Sequence, residues 1–297
     1  MKKYLLLPHM QIQNANAMSS TCTIGFPAMT AWLGAVHALE RKMSSINELK
    51  AVRFTGTAIS CLSHQLQVYP RRGNGQKFII STANPPVLNG GHAIKAPSFI
   101  ANARIHLTVS ILIEIAGLSG TMQDRFMEIL NQKLPSLRWA GGDLLSHKKT
   151  CIFSVEEGND EEERAVLRSL MPGCVLIERR DLMTQAMKDG EESLDALLRF
   201  LSVHNHARRD EEGHVTGWDS YREAPGWLVP ISVGFKGLTP PGQAACQRDP
   251  KTPHCFAENI LTLGEFRLPC RFRHVDDILW HYEYIESQAL YLCRNQK

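Results

Sequence analysis

The sequence predicts an α+β protein, and three segments carry this prediction. Residues 105–115 place Ile, Leu or Val at every second position with mostly polar side chains between them, as in a strand with one buried face. Residues 5–12 are apolar enough for a first strand, and residues 27–42 follow with the small and apolar side chains of a helix that packs on a sheet. Pro27 suits the first helical position, because its missing N–H is unpaired there anyway.

The other elements of the first half complete a known order. Residues 52–69 predict an extended segment with a bend near Gly56, since polar and apolar side chains alternate along its second part. Residues 121–134 predict a second helix, and residues 137–140 a short strand that ends at a glycine pair. The order strand–helix–strand–strand–helix–strand is that of a ferredoxin-like or RNA-recognition-motif core. Several functions share this fold, so the order alone names none of them.

Residues 69–97 interrupt this core with a long insertion rich in proline and glycine. Loops of this length are uncommon unless they are functional or disordered. The insertion carries Arg71, Arg72 and Lys77. These cations fit a flexible arm that contacts phosphates, and they equally fit a solvated hairpin tip. Both interpretations stay open at this point.

The second half has a less regular pattern. Its predicted strands are 151–155, 174–178 and 226–231, and its predicted helices are 160–169, 181–188, 193–202, 256–263 and 275–285. Residues 204–218 are polar and predict a loop. The acidic start of 160–169 is typical of a helix N-terminus, where carboxylates interact favourably with the helix dipole. We expect a core over 1–146 and an elaborated α+β half over 147–297, packed on the core and not necessarily an independent domain.

Composition limits the class of protein. The chain has 297 residues, of which 43% are hydrophobic, and a formal charge of +3. Any nucleic-acid site must therefore come from local clusters of Lys and Arg. Eight cysteines without short paired spacing, and no signal-like or membrane-spanning segment, favour a reduced cytoplasmic compartment with free thiols. No phosphate-binding loop, dinucleotide fingerprint, nucleophile elbow or metalloprotease motif occurs, so we expect no cofactor.

A polar loop at residues 13–23 is the first candidate site. It carries amides and hydroxyls, among them Asn14, Asn16, Ser19 and Ser20. Such groups can hydrogen-bond an RNA backbone and base edges. They can equally form a surface turn closed by its own side-chain caps.

Arg104, Arg138, Gly141 and Gly142 form the second candidate set, because the predicted sheet places all four near strand ends. A glycine pair permits a ligand to approach the backbone closely. A tight turn requires glycine just as much, and Arg104 fits an ordinary surface ion pair.

Two further groups bear on chemistry and metals. A ribonuclease can use histidine as general acid or base, but spacing places no second group beside His37, His64 or His106, so we expect no catalytic residue. A separate set of soft ligands comprises Cys246, Cys255, Cys270 and His274. Its first gap lacks the short spacing of structural zinc sites, so unlinked thiols without a metal are favoured.

A colinear series of segments resembles one known family. The segments are IQNANAMSS, GFPAMTAW and VHALER near the N-terminus, then ARIHLTVSILI at 103–113, LRWAGGDLL at 137–145, PGWLVPISVGF at 225–235, AENILTLGEF at 257–266 and DDILWHYE at 276–283. They are similar to the second-subunit family of the Csy complex, the type I-F CRISPR surveillance complex, within the Cas-five superfamily. Residues 147–222 match least well.

The resemblance implies a non-catalytic structural subunit that binds the 5′ handle of the crRNA. It implies a heterodimer with the large first subunit, and a thumb at residues 69–97 that contacts the adjacent backbone subunit. Arg71, Arg72 and Lys77 would neutralise phosphates, with Arg248 or Arg267 adding to them, and Phe26 or Trp227 would stack on a base. Contact with target DNA stays open.

Two rival hypotheses remain. Some Cas-five relatives process crRNA, so a metal-independent endoribonuclease is the alternative; it requires a cluster of His, Tyr or Lys that the sequence does not reveal. An unrelated ferredoxin-like interaction module is the third hypothesis, and it predicts no binding of crRNA.

Overall fold

The computed structural model describes residues 1–70, 77–80, 82–83, 87–89, 93–95, 99–100, 102–245, 247, 249 and 251–295. Strands dominate the fold. In chain order they are β1 (Lys2–Asn16), β2 (Arg53–Leu66), β3 (Val68–Pro70), β4 (Lys77–Ile79), β5 (Thr82–Ala83), β6 (Val87–Asn89), β7 (Ala93–Lys95), β8 (Phe99–Ile100), β9 (Arg104–Ala116), β10 (Arg138–Trp139), β11 (Gly142–Ser146), β12 (Cys151–Val155), β13 (Cys174–Glu178), β14 (His204–Arg209), β15 (Val215–Tyr221), β16 (Trp227–Gly237), β17 (Ala257–Arg267), β18 (His281–Ile285) and β19 (Leu290–Arg294).

One large antiparallel sheet organises the described residues. Its strands follow the order β10-β11-β1-β9-β2-β13-β17-β16-β19-β18, and β12 also pairs with β1. The α-helices of the described part are α1 (Met29–Ser44), α2 (Gln123–Lys133), α3 (Asp160–Ser169), α4 (Arg180–Lys188) and α5 (Ser193–Leu201). The prediction of a mixed α+β protein is confirmed, and the second half of the chain continues the sheet of the first half.

The main core lies between the sheet and the first two helices. In β9 the alternating apolar side chains from Ile105 to Ile115 all belong to this core, as predicted from their spacing. Trp32 and Leu39 of α1 and Phe126 of α2 are fully buried against them. The side-chain period of two therefore gives β9 one wholly apolar face and leaves its other face for a different purpose.

The opposite face of the sheet is covered along only part of its length. Tyr4 and Leu6 of β1, with Leu112 of β9, pack under a second core that includes Val166 and Leu167 of α3. Further along the same strands this face carries polar side chains and no helix covers it within the described residues. The sheet thus has a buried half-face and an open half-face.

The acidic segment before α3 forms a helix N-terminus, which confirms the prediction from sequence. The Asn159 side chain caps α3 by accepting a hydrogen bond from the Glu162 N–H at 3.2 Å. The Glu162 carboxylate accepts a hydrogen bond from the Glu156 N–H at 2.7 Å. Carboxylates in this first turn are also favoured by the helix dipole.

The helix predicted at residues 256–263 is wrong. This segment is β17, which pairs with β13 on one side and β16 on the other. A Cβ on Gly264 would lie 2.9 Å from the Ile231 side chain of β16, so the close fit depends on glycine at this position. Pairing on both edges outweighs the local helical preference, and a window of sequence does not contain that information.

The helix predicted at residues 275–285 is also wrong. It divides into a 3₁₀ turn at Val275–Ile278 and the strand β18. Between them, Trp280 exchanges backbone hydrogen bonds with Thr57 of β2 at 3.0 and 2.8 Å, and its indole Nε1–H donates to the Leu176 carbonyl at 2.8 Å. Burial and these distant partners set the backbone of this segment.

Two smaller predictions also differ from the structure. Residues 204–218, predicted as a loop, form most of the β14–β15 hairpin, in which His204 pairs with Tyr221. The first helix begins at Met29 with Ala28 as its N-cap, so Pro27 lies two residues before the first helical position. The bend predicted near Gly56 is confirmed by a register shift between Phe54 and Gly56.

Candidate nucleic-acid interface

A shallow groove of about 530 Å³ lies on the open half-face of the sheet. It crosses β1, β9 and β2, and β11 adds one edge. Its lining residues are Gln11, Ile12, Gln13, Ser63, His64, Gln65, His106, Leu107, Thr108 and Leu145. Amides, hydroxyls and imidazoles dominate this lining, so the groove offers both donors and acceptors.

Strand register places these polar groups side by side. Thr108 of β9 pairs with Gln11 of β1 and with Ser63 of β2, and His106 pairs with Gln65. Directly opposed residues of antiparallel strands project to the same face. The polar members of the period-2 pattern therefore meet in the groove, while their apolar neighbours enter the main core.

A bulge at the end of β1 shapes one end of the groove. The register shifts between Ile12 and Ala15, and Asn14 adopts a positive φ of 56°. The Arg104 guanidinium donates to the Asn14 carbonyl at 3.3 Å, and the Asn14 N–H donates to His106 Nδ1 at 3.1 Å. Since Nδ1 accepts this bond, neutral His106 carries its proton on Nε2 and offers a donor there.

The glycine pair holds a hairpin against the same strand end. The Asn16 N–H donates to the Ala140 carbonyl at 2.9 Å, and Gly141 has a positive φ of 80°. A Cβ on Gly142 would lie 2.6 Å from the Gln13 carbonyl oxygen. Both glycines are therefore required by the turn and by strand contact, which is the simpler of the two interpretations from sequence.

The other end of the groove carries a cation. The Lys148 N–H donates to the Pro8 carbonyl at 3.0 Å, which ties the segment after β11 to β1. The Lys148 ammonium lies 3.5 Å from His9 Nε2. Burial lowers the pKa of His9, and the charge of Lys148 lowers that pKa further. Lys148 is therefore the cation at this end near neutral pH, with His9 neutral.

Replacing Lys148 with glutamine is expected to raise the pKa of His9, because the nearby positive charge is lost. The pKa should stay below its ordinary value, since burial is the larger cause and remains. Titration of the His9 ring protons by NMR measures this. An unchanged His9 pKa would show that Lys148 does not contact this imidazole in solution.

The hydroxyls of the polar loop bond to one another. Ser19 Oγ and Ser20 Oγ lie 2.9 and 2.6 Å from Thr23 Oγ1, and Ser20 Oγ also accepts the Cys22 and Thr23 N–H groups. Both serines are buried. Asn16 Oδ1 accepts the Met18 N–H at 3.1 Å. These contacts close the turn, while Asn14 and Asn16 stay exposed beside the groove.

The predicted aromatic and second-half residues form a separate cluster. The Phe26 ring packs 5.6 Å from Trp32 and 5.3 Å from Phe266, between ring centroids. Trp227 is 51% exposed and lies 5.4 Å from Phe266. Trp227 also lies 6.4 Å from His64, whose strand partner Leu107 belongs to the main core, so this indole lies on the helix-covered face of the sheet and not in the groove.

The remaining predicted cations differ in their surroundings. Arg267 is paired with Glu265 through bonds of 3.1 and 2.7 Å. Arg138 is highly exposed and lies 3.5 Å from Asp143. Lys77 is exposed on β4 opposite Pro70 of β3. Arg71, Arg72 and Arg248 lie outside the described residues.

The structure thus joins Asn14, Asn16, Arg104, Gly141 and Gly142 at one strand end, with Arg138 in the adjoining hairpin. Sequence reasoning missed Gln11, Gln65, His106 and Lys148 as one surface. The period-2 pattern in β2 and β9 was the available signal, because it marked the polar face of each strand.

Neither a metal-binding cluster nor a membrane-spanning helix occurs in the described residues. Within the described part of the chain, no group of three His, Cys, Asp or Glu side chains is placed to hold a metal ion; Cys246 lies outside that part. In the same part of the chain, no helix is long and apolar enough to cross a membrane.

Comparison with known proteins decides the family. The family model described as CRISPR-associated protein (Cas_Csy2) matches residues 5–293. This chain belongs to the Csy2 family. The CRISPR-associated protein Csy2 of Pseudomonas aeruginosa (strain UCBPP-PA14) is 31% identical over 314 residues, covering 97% of this chain and 93% of that relative. The matched range includes every residue that lines the groove.

Proposed function

We propose that this Csy2-family chain is a non-catalytic structural subunit of the type I-F CRISPR surveillance complex and binds the 5′ handle of the crRNA. The observation that carries the proposal is the open polar half-face of the sheet. Proteins read single-stranded RNA through hydrogen bonds to splayed base edges and through contacts to phosphates. The polar side chains along the groove floor supply hydrogen-bond donors and acceptors for the base edges.

The charges at the groove ends support contacts to the RNA backbone. Arg104 lies at one end and Lys148 at the other, with uncharged amides between them. Cations at the ends would neutralise phosphates, while the amides would discriminate bases.

The strand arrangement supports a ferredoxin-like, RNA-recognition-motif core over residues 1–146, as expected for the Cas-five superfamily. β11, β1, β9 and β2 are adjacent in that order and antiparallel, and α1 and α2 cover one face. We infer that residues 147–297 are not an independent domain, because β13 pairs with both β2 and β17.

The partners proposed are the crRNA, the large first subunit and the adjacent backbone subunit, in the cytoplasm. Exposed aromatic side chains support a protein partner: Phe235, Tyr291 and Tyr284 are opposed in neighbouring strands. Aromatic residues are enriched in protein interfaces. The insertion at 69–97, the proposed thumb toward the backbone subunit, lies largely outside the described residues.

The experiment uses the chain co-expressed with the large subunit and a crRNA, and measures binding across a salt series. We expect affinity that falls when the 5′ handle is scrambled. Lys148→Ala should weaken binding several-fold and reduce the salt slope by about 0.7, the value for one phosphate contact on a single strand. Arg168→Ala removes one exposed charge from α3 and serves as the matched control.

Equal binding of native and scrambled handles would contradict the proposal. A target duplex in a parallel series would show whether the chain also contacts DNA.

The endoribonuclease alternative has one observation in its favour, which is that His106, a residue type used in acid–base catalysis, lines the groove. The Asn14 N–H occupies the Nδ1 lone pair of His106, so neutral His106 can donate a proton from Nε2 but has no free lone pair for a general base. We therefore expect the crRNA to remain intact during incubation. Cleavage that is lost in His106→Ala would establish the alternative.

A further inference from the structure

Two cysteines oppose each other where the two halves of the sheet meet. Cys61 of β2 and Cys174 of β13 are register partners on antiparallel strands. The seven cysteines among the described residues are all free thiols, and Cys61 and Cys174 are both partly exposed. Such an arrangement differs from a lone cysteine, because each thiol has a potential partner already in place.

The side-chain directions bring the two thiols to the same face. Ile59 precedes Cys61 by two residues, Leu176 follows Cys174 by two, and both belong to the main core. Since strand side chains alternate with a period of two, both sulfurs lie on that face. Directly opposed residues have Cα atoms about 4.5–5.5 Å apart, within the range of about 4.4–6.8 Å that disulfides occupy.

A disulfide between Cys61 and Cys174 would lie where β13 pairs with β2. β13 joins β17, β16, β19 and β18 to the first half through β2, and the β13–β2 register contains two pairs, Cys174 with Cys61 and Val175 with Ser60. A covalent bond here would close a long segment of chain across a short seam. We propose that Cys61 and Cys174 form a reversible disulfide that fixes this seam when the protein meets a low-molecular-weight disulfide oxidant.

The disulfide forms by two successive thiol–disulfide exchanges. The Cys174 thiolate attacks the oxidant, forming a mixed disulfide and releasing one small thiol. The Cys61 thiolate then attacks the Cys174 sulfur and releases the second small thiol. Two protein thiols are oxidised, the oxidant disulfide is reduced, and both protons pass to the departing thiolates.

The pKa values of the two thiols predict which thiol reacts first and how the rate of disulfide formation depends on pH. Burial raises the pKa of Cys61 to about 12, with the neighbouring Cys174 adding to it, and burial also raises the pKa of Cys174. Thiolate is the reactive form, so little of it is present at neutral pH. The rate of bond formation should therefore rise with pH across the mildly alkaline range.

The test treats the full-length chain with oxidised glutathione at mildly alkaline pH, followed by alkylation and peptide mapping. We expect a linked pair of peptides containing Cys61 and Cys174, released by dithiothreitol. The Tm of the oxidised protein should rise by roughly 5 °C or more, because the bond closes a long loop. This outcome is independent of RNA binding.

Matched variants make the result decisive. Cys151 is also partly buried, its pKa is also raised by burial, and its partner in β1 is Leu6 rather than a cysteine. Cys151→Ser should retain the linkage and the Tm rise, while Cys61→Ser and Cys174→Ser should lose both. Recovery of Cys61 and Cys174 only as free thiols or as separate glutathione adducts would overturn the proposal.

Discussion

Gly142→Ala is expected to destabilise the protein by about 2–3 kcal/mol and to abolish recognition of the handle. A Cβ at this position would lie 2.6 Å from the Gln13 carbonyl oxygen, 2.7 Å from the Ala15 nitrogen and 2.8 Å from the Ile12 side chain. Two of these atoms belong to the backbone of β1, so they cannot move without shifting the pairing of β1 with β11. The same shift would displace Asn14 and the groove end.

Urea denaturation, monitored by tryptophan fluorescence, measures this loss of stability as a lower midpoint of the transition at an unchanged slope. Gly34→Ala is the matched control, because Gly34 lies in α1 with nothing within 4 Å of its added Cβ. Alanine in a helix interior should stabilise by about 0.5–1 kcal/mol. A Gly142→Ala midpoint equal to that of the native chain would contradict the close contact between β11 and β1.

Glu265→Ala should lower the free energy of unfolding by a similar amount, because it removes the carboxylate of a buried ion-pair cluster. Glu265 is 5% exposed in β17 and accepts hydrogen bonds from Arg179 at 2.6 Å and from Arg267 at 2.7 and 3.1 Å. Breaking a buried ion pair typically costs about 3–5 kcal/mol. We expect about 2–3 kcal/mol, because Arg179 keeps Asp181 as a partner and Arg267 is accessible enough to be rehydrated.

The same denaturation measurement tests this prediction. Glu128→Ala removes an exposed carboxylate paired with Arg125 on the surface of α2, and its midpoint should match that of the native chain. Equal midpoints for Glu265→Ala and Glu128→Ala would show that the Arg179–Glu265–Arg267 cluster contributes nothing to stability. A loss of handle binding in Glu265→Ala without loss of stability would instead connect this cluster to RNA.

The elements that sequence predicted well are those whose signal is local. The alternation in β9 and the acidic start of α3 each fit within one short window. Residues 256–263 pair with β13 and β16, and Trp280 pairs with Thr57; these partners are distant in the chain, whereas β18 pairs with the adjacent β19. No local pattern contains the distant pairing, so the strand β17 and the backbone of Trp280 required the structure.

The candidate site shows the same division. Asn14, Arg104 and Gly142 were each visible as polar or glycine positions near strand ends, but their meeting depends on β1 lying between β9 and β11. Ser19 and Ser20 were chosen for their chemistry, and the structure shows their hydroxyls bonded within the turn. The groove itself was missed because only the packing of α3 reveals which part of the polar face stays open.

The most direct measurement is photo-crosslinking of a crRNA that carries a photoreactive uridine in its 5′ handle, within the complex formed with the large subunit. Mapping of the linked peptides should place the handle on the groove strands, in peptides that contain Gln11, Gln65 or His106. Crosslinks to this chain confined to α3 or to the β14–β15 hairpin would contradict the proposed groove.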